Sequence, residues 1–283
     1  VKIVETPDSA YAHINGWRCE GFKVGLVPTM GALHAGHLSL VERSRSECDY
    51  TAVSIFVNPT QFGPHEDFSK YPRTLEDDLR QLSNLDVDLV FAPQNTSLYP
   101  DGFSCFVGTP KVAQPLEGIH RHDHFAGVTT IVLKLMNIMP ANVAYFGMKD
   151  YQQLAVIRRM VEDLNVPIQV AGCPTVRESD GLAMSSRNRY LSPEGRQKAL
   201  CLSKALNFAA DAIASGQTAV SEIEASMQKL LVENGADSID YARIVDPDWL
   251  TDISTITGPV VALIAAHVEK TRLIDNRVIE LEN

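Results

Sequence analysis

The chain has 283 residues, 45% of them hydrophobic, which is enough apolar material for a sizeable core and for two domains of ordinary size. Its 25 Lys and Arg stand against 35 Asp and Glu, a formal net charge of −10 that opposes binding to a nucleic-acid backbone or an anionic membrane. The five cysteines are scattered without a C-x-x-C pair, which argues against a disulfide frame or a thiolate zinc site and for reduced thiols in a cytoplasm.

The opening VKIVETPDSAYAHINGW has no basic segment followed by a long apolar run, and no apolar stretch reaches membrane-spanning length. A cytosolic protein is therefore expected. Along the chain, apolar runs suited to buried parallel strands alternate with helical patterns: KVGLVP precedes HLSLVERSRSEC, YTAVSIFVN precedes TLEDDLRQLSNL, and DLVFAP follows. The helical GVTTIVLKLMNIM then leads to a strand in NVAYFG, a helix in DYQQLAVIRRMVEDLN and a strand in IQVAGCP. After about Val176 the pattern changes to two helical stretches, RQKALCLSKALNFAADAIASG and VSEIEASMQKLLVENG, and three strands in SIDYARIVD, PVVALIAAHV and KTRLIDN. The expected fold class is α/β: a Rossmann-type doubly wound parallel sheet over residues 1–176, then a smaller α+β C-terminal domain over 177–283. The long segments 58–73 and 99–125, punctuated by Pro and Gly, are expected to be functional loops.

In a parallel sheet the ligand crevice lies beyond the carboxyl ends of the strands, where PTMGALHAGH falls. Gly31 and Gly36 let backbone approach a bulky anion, and the helix after His37 directs its positive dipole end toward it. His34 and His37 add donors at the same turn. One reading is a nucleotide triphosphate site whose histidines stabilise charge as pyrophosphate leaves; the others are a glycine turn with a helix-capping histidine, and a metal pair that lacks an acidic third ligand nearby. A second stretch, RESDGLAMSSRN from Arg177 to Asn188, combines hydroxyls, a guanidinium and a glycine in a loop able to fold over a triphosphate. H-x-G-H early and M-S-S-R late resemble the paired signatures of the class I aminoacyl-tRNA synthetase and nucleotidyltransferase superfamily, in which both grip ATP.

The blocks PTMGALHAGHLSLV, SIFVNPTQFGPHEDFSKYPRTLEDD, HFAGVTTIVLKLMN, FGMKDYQQLAVIRRMV and RESDGLAMSSRNRYLS occur in this order. Together with the closing RLIDN, they are similar to the pantoate–β-alanine ligase family from end to end. The resemblance implies a Rossmann-type ATP domain, a smaller C-terminal domain and a homodimer. It also implies condensation of pantoate with β-alanine at the expense of ATP, through a pantoyl adenylate, with Mg²⁺ on the phosphates and no nucleic-acid or membrane partner. The product, pantothenate, would feed coenzyme A biosynthesis.

The same resemblance assigns roles to residues. The segment Met30, Gly31, Ala32, Leu33, His34, Ala35, Gly36 and His37 would bind ATP, with His34 and His37 at the phosphates and His37 as proton donor. Gly147, Met148, Lys149 and Asp150, together with Val176, Met184, Ser185, Ser186 and Arg187, would complete the ATP site. Lys149, Ser185 and Arg187 join the histidines as catalytic candidates. Gln61 would meet both pantoate and β-alanine, and Asn58, Gln153 and Arg121 would meet substrate.

Some of these positions also carry purely structural readings. Asn58 opens an Asn-Pro turn. Asp150 and Gln153 have capping-box spacing, and Thr74-Leu75-Glu76-Asp77 reads as a capped helix start with acids in its first turn. The resemblance nevertheless makes Asp77 and Asp78 candidates for Mg²⁺. Met148 stands where the family has glutamate, and His122 and Asp123 replace a Pro-Gly pair. Of the alternating His120, His122 and His124, which read mainly as exposed loop side chains, His124 matches the family and is expected to pack.

Overall fold

Continuous apolar runs become central strands because a parallel sheet is covered by helices on both faces. Thus β2 (Val24–Thr29) buries Val24, Leu26 and Val27 completely, and β3 (Tyr50–Ile55) buries Ala52 and Val53. The structure is a computed structural model and describes residues 1–64, 66 and 68–281. It divides into two units, Val1–Met148 with Gln153–Pro174, and Lys149–Gln152 with Thr175–Asn283.

In the first unit, the strands β1 (Lys2–Val4), β2, β3, β4 (Leu89–Phe91), β5 (Val143–Gly147) and β6 (Gln169–Cys173) form one parallel sheet in the order β1-β4-β3-β2-β5-β6. The register pairs Val24 through Thr29 with Tyr50 through Ile55, and Gly25 and Leu26 with Val143 and Ala144. The helices are α1 (Pro7–Cys19), α2 (Ala35–Glu47), α3 (Leu75–Asn84), the short α4 (Asn95–Leu98) and α5 (Glu117–His120), α6 (His124–Ile138) and α7 (Tyr151–Asp163). From β2 the chain runs outward to β3 and β4 on one side, and only later places β5 on the other. The β2/β5 boundary is therefore the topological switch point, where such sheets bind ligands.

The short α4 and α5 escaped the sequence reading, and so did two elements at the start of the chain, β1 and α1. The strand lies at the sheet edge with Ile3 exposed, and the helix buries only Ala10 and Ile14, so neither has a strong apolar pattern. The signal present was local: Thr6 caps α1 by accepting from the Ser9 amide, and Pro7 follows at the first helical position.

The second unit pairs β7 (Ser238–Val245), β8 (Val260–Val268) and β9 (Thr271–Ile279) as an antiparallel sheet. Its core joins the apolar faces of α9 (Cys201–Ala214) and α10 (Val220–Glu233) to alternate β8 residues, Ala262, Ile264 and Ala266. The first expected helical stretch is two helices, because α8 (Pro193–Ala199) ends at Leu200, from which α9 starts afresh.

Candidate active site

Strand β2 ends at Thr29, and its buried hydroxyl donates to the Ser54 carbonyl while accepting from the Gly31 amide. The chain then turns through left-handed backbone at Gly31 (φ 77) and Ala32 (φ 51). For alanine this conformation costs about 1–2 kcal/mol, so surrounding contacts must hold it. They come from Asp78, the fourth residue of α3 and almost wholly buried. Its carboxylate accepts from the amides of Ala32 at 2.9 Å and Leu33 at 2.8 Å and lies 3.3 Å from the Thr74 hydroxyl. A side chain at Gly31 would stand 3.0 Å from that carboxylate and 3.1 Å from Ile55, a tight fit that adds to the preference for glycine at this φ.

The helix that follows begins earlier than the sequence suggested. Its cap is His34, whose Nδ1 accepts from the Gly36 amide at 3.2 Å, and His37 lies inside the first turn rather than before it. The capping interpretation of His34 is thus correct, and it is compatible with a ligand role: with Nδ1 accepting, the neutral ring carries its proton on Nε2. The two imidazoles stand together, with centroids 4.0 Å apart. Two histidines and the positive end of a helix therefore occupy one turn beside the switch point.

Thr74 was expected to cap α3 with its side chain. It makes no such bond, because its hydroxyl is turned toward the Asp78 carboxylate. The magnesium expectation for Asp78 meets the same obstacle: its oxygens are spent on backbone donors. Asp77 lies in the exposed first turn, ion-paired with Arg80. Among the described residues no group of three or more His, Cys, Asp or Glu is disposed to hold a metal. The described residues do not fit a protein-held ion.

Behind this turn lies a second layer. Asn58 is buried and fully engaged: Nδ2 donates to Gln61 Oε1 at 3.0 Å and to the Gly127 carbonyl, while Oδ1 accepts from Tyr99 at 2.7 Å and from the Thr60 hydroxyl. Its expected contact with substrate gives way to a supporting role, since a saturated amide has no group to offer. Gln61, in contrast, reaches the Met30 sulfur with Nε2 and remains partly accessible, at 9%. The close approach of α6 to the Pro59–Gln61 turn depends on Gly127, where an added Cβ would lie 2.4 Å from the Thr60 carbonyl. Tyr99 and Gly127 were not singled out in the sequence, being 41 and 69 residues from Asn58.

Arg121 is likewise committed within the protein. Its Nε and Nη2 donate to the two oxygens of Glu66, each at 2.7 Å, and Nη1 lies 2.9 Å from His124 Nε2 and 3.7 Å from Glu117. A bidentate pair of this kind leaves little of the guanidinium for substrate. His120 and His122 are exposed as expected, whereas His124 is buried and hydrogen-bonded at both ring nitrogens. Asp123 takes left-handed backbone, φ 61, immediately before α6.

Gly147 and Met148 stand at the carboxyl end of β5, across the switch point from the β2 turn, and Gln153 is half-buried in the first turn of α7. The remaining candidates belong to the second unit. Lys149 has its carbonyl bonded by Asn276 at 2.7 Å, and its Nζ lies 3.9 Å from Asp150. Val176 and Met184 are joined across a tight loop, Met184 amide to Val176 carbonyl, with Gly181 (φ 94) at its tip. Ser185 caps the 3₁₀ turn Ser186–Tyr190 by accepting from the Arg187 amide. The segment expected to fold over a triphosphate is a turn braced by hydrogen bonds. Asn188 ties the Ala183 carbonyl to Glu178, Arg196 binds Glu178 and Asp180, and Arg177 grips Asp275 with two bonds at 2.7 and 2.9 Å. The Arg196 hydrogen bonds hold the Glu178 carboxyl below the usual carboxylate range.

The family model for pantoate-beta-alanine ligase matches residues 2–278. The chain belongs to that family. A pantothenate synthetase of Acetivibrio thermocellus is 49% identical over 282 residues, covering 99% of this chain and all of that protein. A crystal structure of pantothenate synthetase from Thermus thermophilus superposes with a TM-score of 0.92 at 43% identity, covering 98% of this chain and 99% of that one. The ligase structure from Francisella tularensis, described as complexed with beta-gamma ATP and beta-alanine, gives a TM-score of 0.81 at 34% identity over 98% and 97% of the two chains. Family membership and the parallel sheet with its small antiparallel companion thus agree with the sequence reading. No helix among the described residues is long and apolar enough to cross a membrane.

Proposed function

We propose that this ligase condenses pantoate with β-alanine, using ATP and releasing AMP and pyrophosphate, in the cytoplasm and as a homodimer, and so supplies pantothenate for coenzyme A. The observation that carries the reading is the β2–α2 turn: a helix N-terminus with two adjacent imidazoles, held in left-handed backbone by a buried carboxylate. It is built to receive the phosphates of ATP. In the first half-reaction a pantoate carboxylate oxygen bonds to the α-phosphorus, and the bond to the bridging oxygen breaks with departure of pyrophosphate. His37 donates a hydrogen bond to the leaving oxygens as charge develops there. In the second, the β-alanine amine attacks the acyl carbon, the carbon–oxygen bond to AMP breaks, and the amine proton leaves to solvent. Gln61 offers pantoate and β-alanine an uncharged donor and acceptor, with Gln153 beside pantoate. Lys149, Ser185, Ser186 and Arg187 contribute further phosphate donors, with Gly147, Met148, Asp150, Val176 and Met184 lining the nucleotide. Mg²⁺ would arrive on the ATP phosphates, keeping waters as this ion does and neutralising their charge.

The test is pyrophosphate release with product identification. ATP with pantoate alone should yield one pyrophosphate per site, and added β-alanine should give continuous turnover to pantothenate and AMP. A dinucleotide product would instead identify an adenylyltransferase, and ATP binding without pyrophosphate a non-catalytic nucleotide module. In His37→Ala, adenylate formation in a single turnover should fall by roughly 10²–10³ while the protein stays folded.

A further inference from the structure

The Gln61 carboxamide can recognise a small hydroxy acid only if its position is fixed, because one mislaid donor weakens binding as much as an absent one. Asn58 fixes its oxygen and Met30 meets its nitrogen, but the Gln61 backbone sits on a 3₁₀ turn of three residues, too short to be rigid alone. The buried ring of His124 reaches that turn from the first residue of α6. Its Nδ1 lies 2.8 Å from the Gln61 carbonyl oxygen, and its Nε2 lies 2.9 Å from Arg121 Nη1. A carbonyl oxygen can only accept and a guanidinium can only donate, so the contacts permit one state: a neutral ring with the proton on Nδ1. Arg121 is anchored in turn by the two-pronged pair with Glu66 and by the neighbouring Glu117.

We propose that His124 is a positioning residue for the reaction: clamped between Arg121 and the Gln61 carbonyl, it sets where the Gln61 carboxamide stands and thereby tunes pantoate recognition. The chain of contacts runs from Glu66 through Arg121 and His124 to Gln61, joining the loop after β3 to the start of α6. Burial, reinforced by the Arg121 cation, pushes the His124 pKa down to about 4, which keeps the required neutral form populated across neutral pH.

The inference rests on the assignment of Gln61 to pantoate, so the test carries Gln61→Ala as a reference. KM for pantoate, KM for ATP and kcat are measured for wild type, Gln61→Ala, His124→Phe, His124→Asn and Arg121→Lys. The Phe variant removes both ring bonds, and Lys cannot reproduce the two-pronged grip on Glu66. The asparagine amide stands near Nδ1 and retains a donor for the Gln61 carbonyl. The expected result is a pantoate KM raised roughly tenfold in His124→Phe, which loses both bonds, and only about threefold in Arg121→Lys and His124→Asn, which keep a donor to the Gln61 carbonyl but lose the Arg121 end of the clamp, with ATP KM within about twofold throughout. Equal defects in Phe and Asn would reduce His124 to packing and overturn the proposal, as would parallel rises in both KM values or no change at all. An unchanged pantoate KM in Gln61→Ala would overturn the pocket assignment as well, whereas a rise there without one in His124→Phe would overturn this inference alone.

Discussion

Replacing Asp78 with asparagine distinguishes a structural anchor from a metal ligand. The buried carboxylate accepts from two backbone amides, at 2.9 and 2.8 Å, and from the Thr74 hydroxyl, in a turn whose Ala32 takes left-handed backbone. Hydrogen bonds to a charged group contribute about 1.5–3 kcal/mol each. Asparagine keeps one oxygen and presents an NH₂ group to the other amide, so one bond is lost and a buried donor is left facing a donor. The cost is about 2–3 kcal/mol, with the strain at Ala32 no longer fully offset. For a unit of this size that corresponds to a fall in Tm of about 4–12 °C. Thermal unfolding followed by circular dichroism measures the shift, and calorimetric titration measures ATP affinity, which should weaken because the turn proposed to meet the phosphates is no longer held. The Mg²⁺ concentration needed for half-maximal activity should stay as in wild type. A variant that unfolds within about 1 °C of wild type but needs far more Mg²⁺ would refute the anchoring argument and return Asp78 to the metal.

Other outcomes follow from the same geometry. Gly31→Ala combines a positive φ with a Cβ 3.0 Å from Asp78 and 3.1 Å from Ile55, and should weaken ATP binding and lower stability by about 1–3 kcal/mol in a denaturant titration. His34→Asn should retain the cap of α2 and wild-type stability yet lose activity, whereas His34→Ala should lose both, with about 1 kcal/mol from the cap. The depressed His124 pKa has a defined sign. The unfolded chain protonates this ring near pH 6.5 and the folded chain only near 4, so stability present above pH 6.5 declines as pH falls through that window, by on the order of 3 kcal/mol. Urea unfolding of wild type and His124→Phe at pH 7 and pH 4 reads it, and an equally steep acid limb in the variant would contradict the assignment.

Much of the molecule could be read from local order in the chain. Alternation of apolar runs with helical patterns specified the parallel sheet, since strands buried on both faces need continuous hydrophobicity, and the ligand-facing end of β2 followed from topology. The ordered motifs specified the family, and with it the expectation that Met30 to His37 and Gln61 meet the ligands. Tertiary structure alone decided what the polar residues around those positions do. Asn58, Asp78 and Arg121 were expected to meet substrate or Mg²⁺ because the family resemblance assigns them there. Each is instead consumed by a partner whose position no local pattern predicts: Gly127 and Tyr99 for Asn58, the Ala32 and Leu33 amides for Asp78, Glu66 and His124 for Arg121. Hydropathy records whether a side chain is apolar, and that suffices to place strands and helices. A hydrogen bond depends on the direction and distance between two groups far apart in sequence, and those are fixed only when the chain has folded.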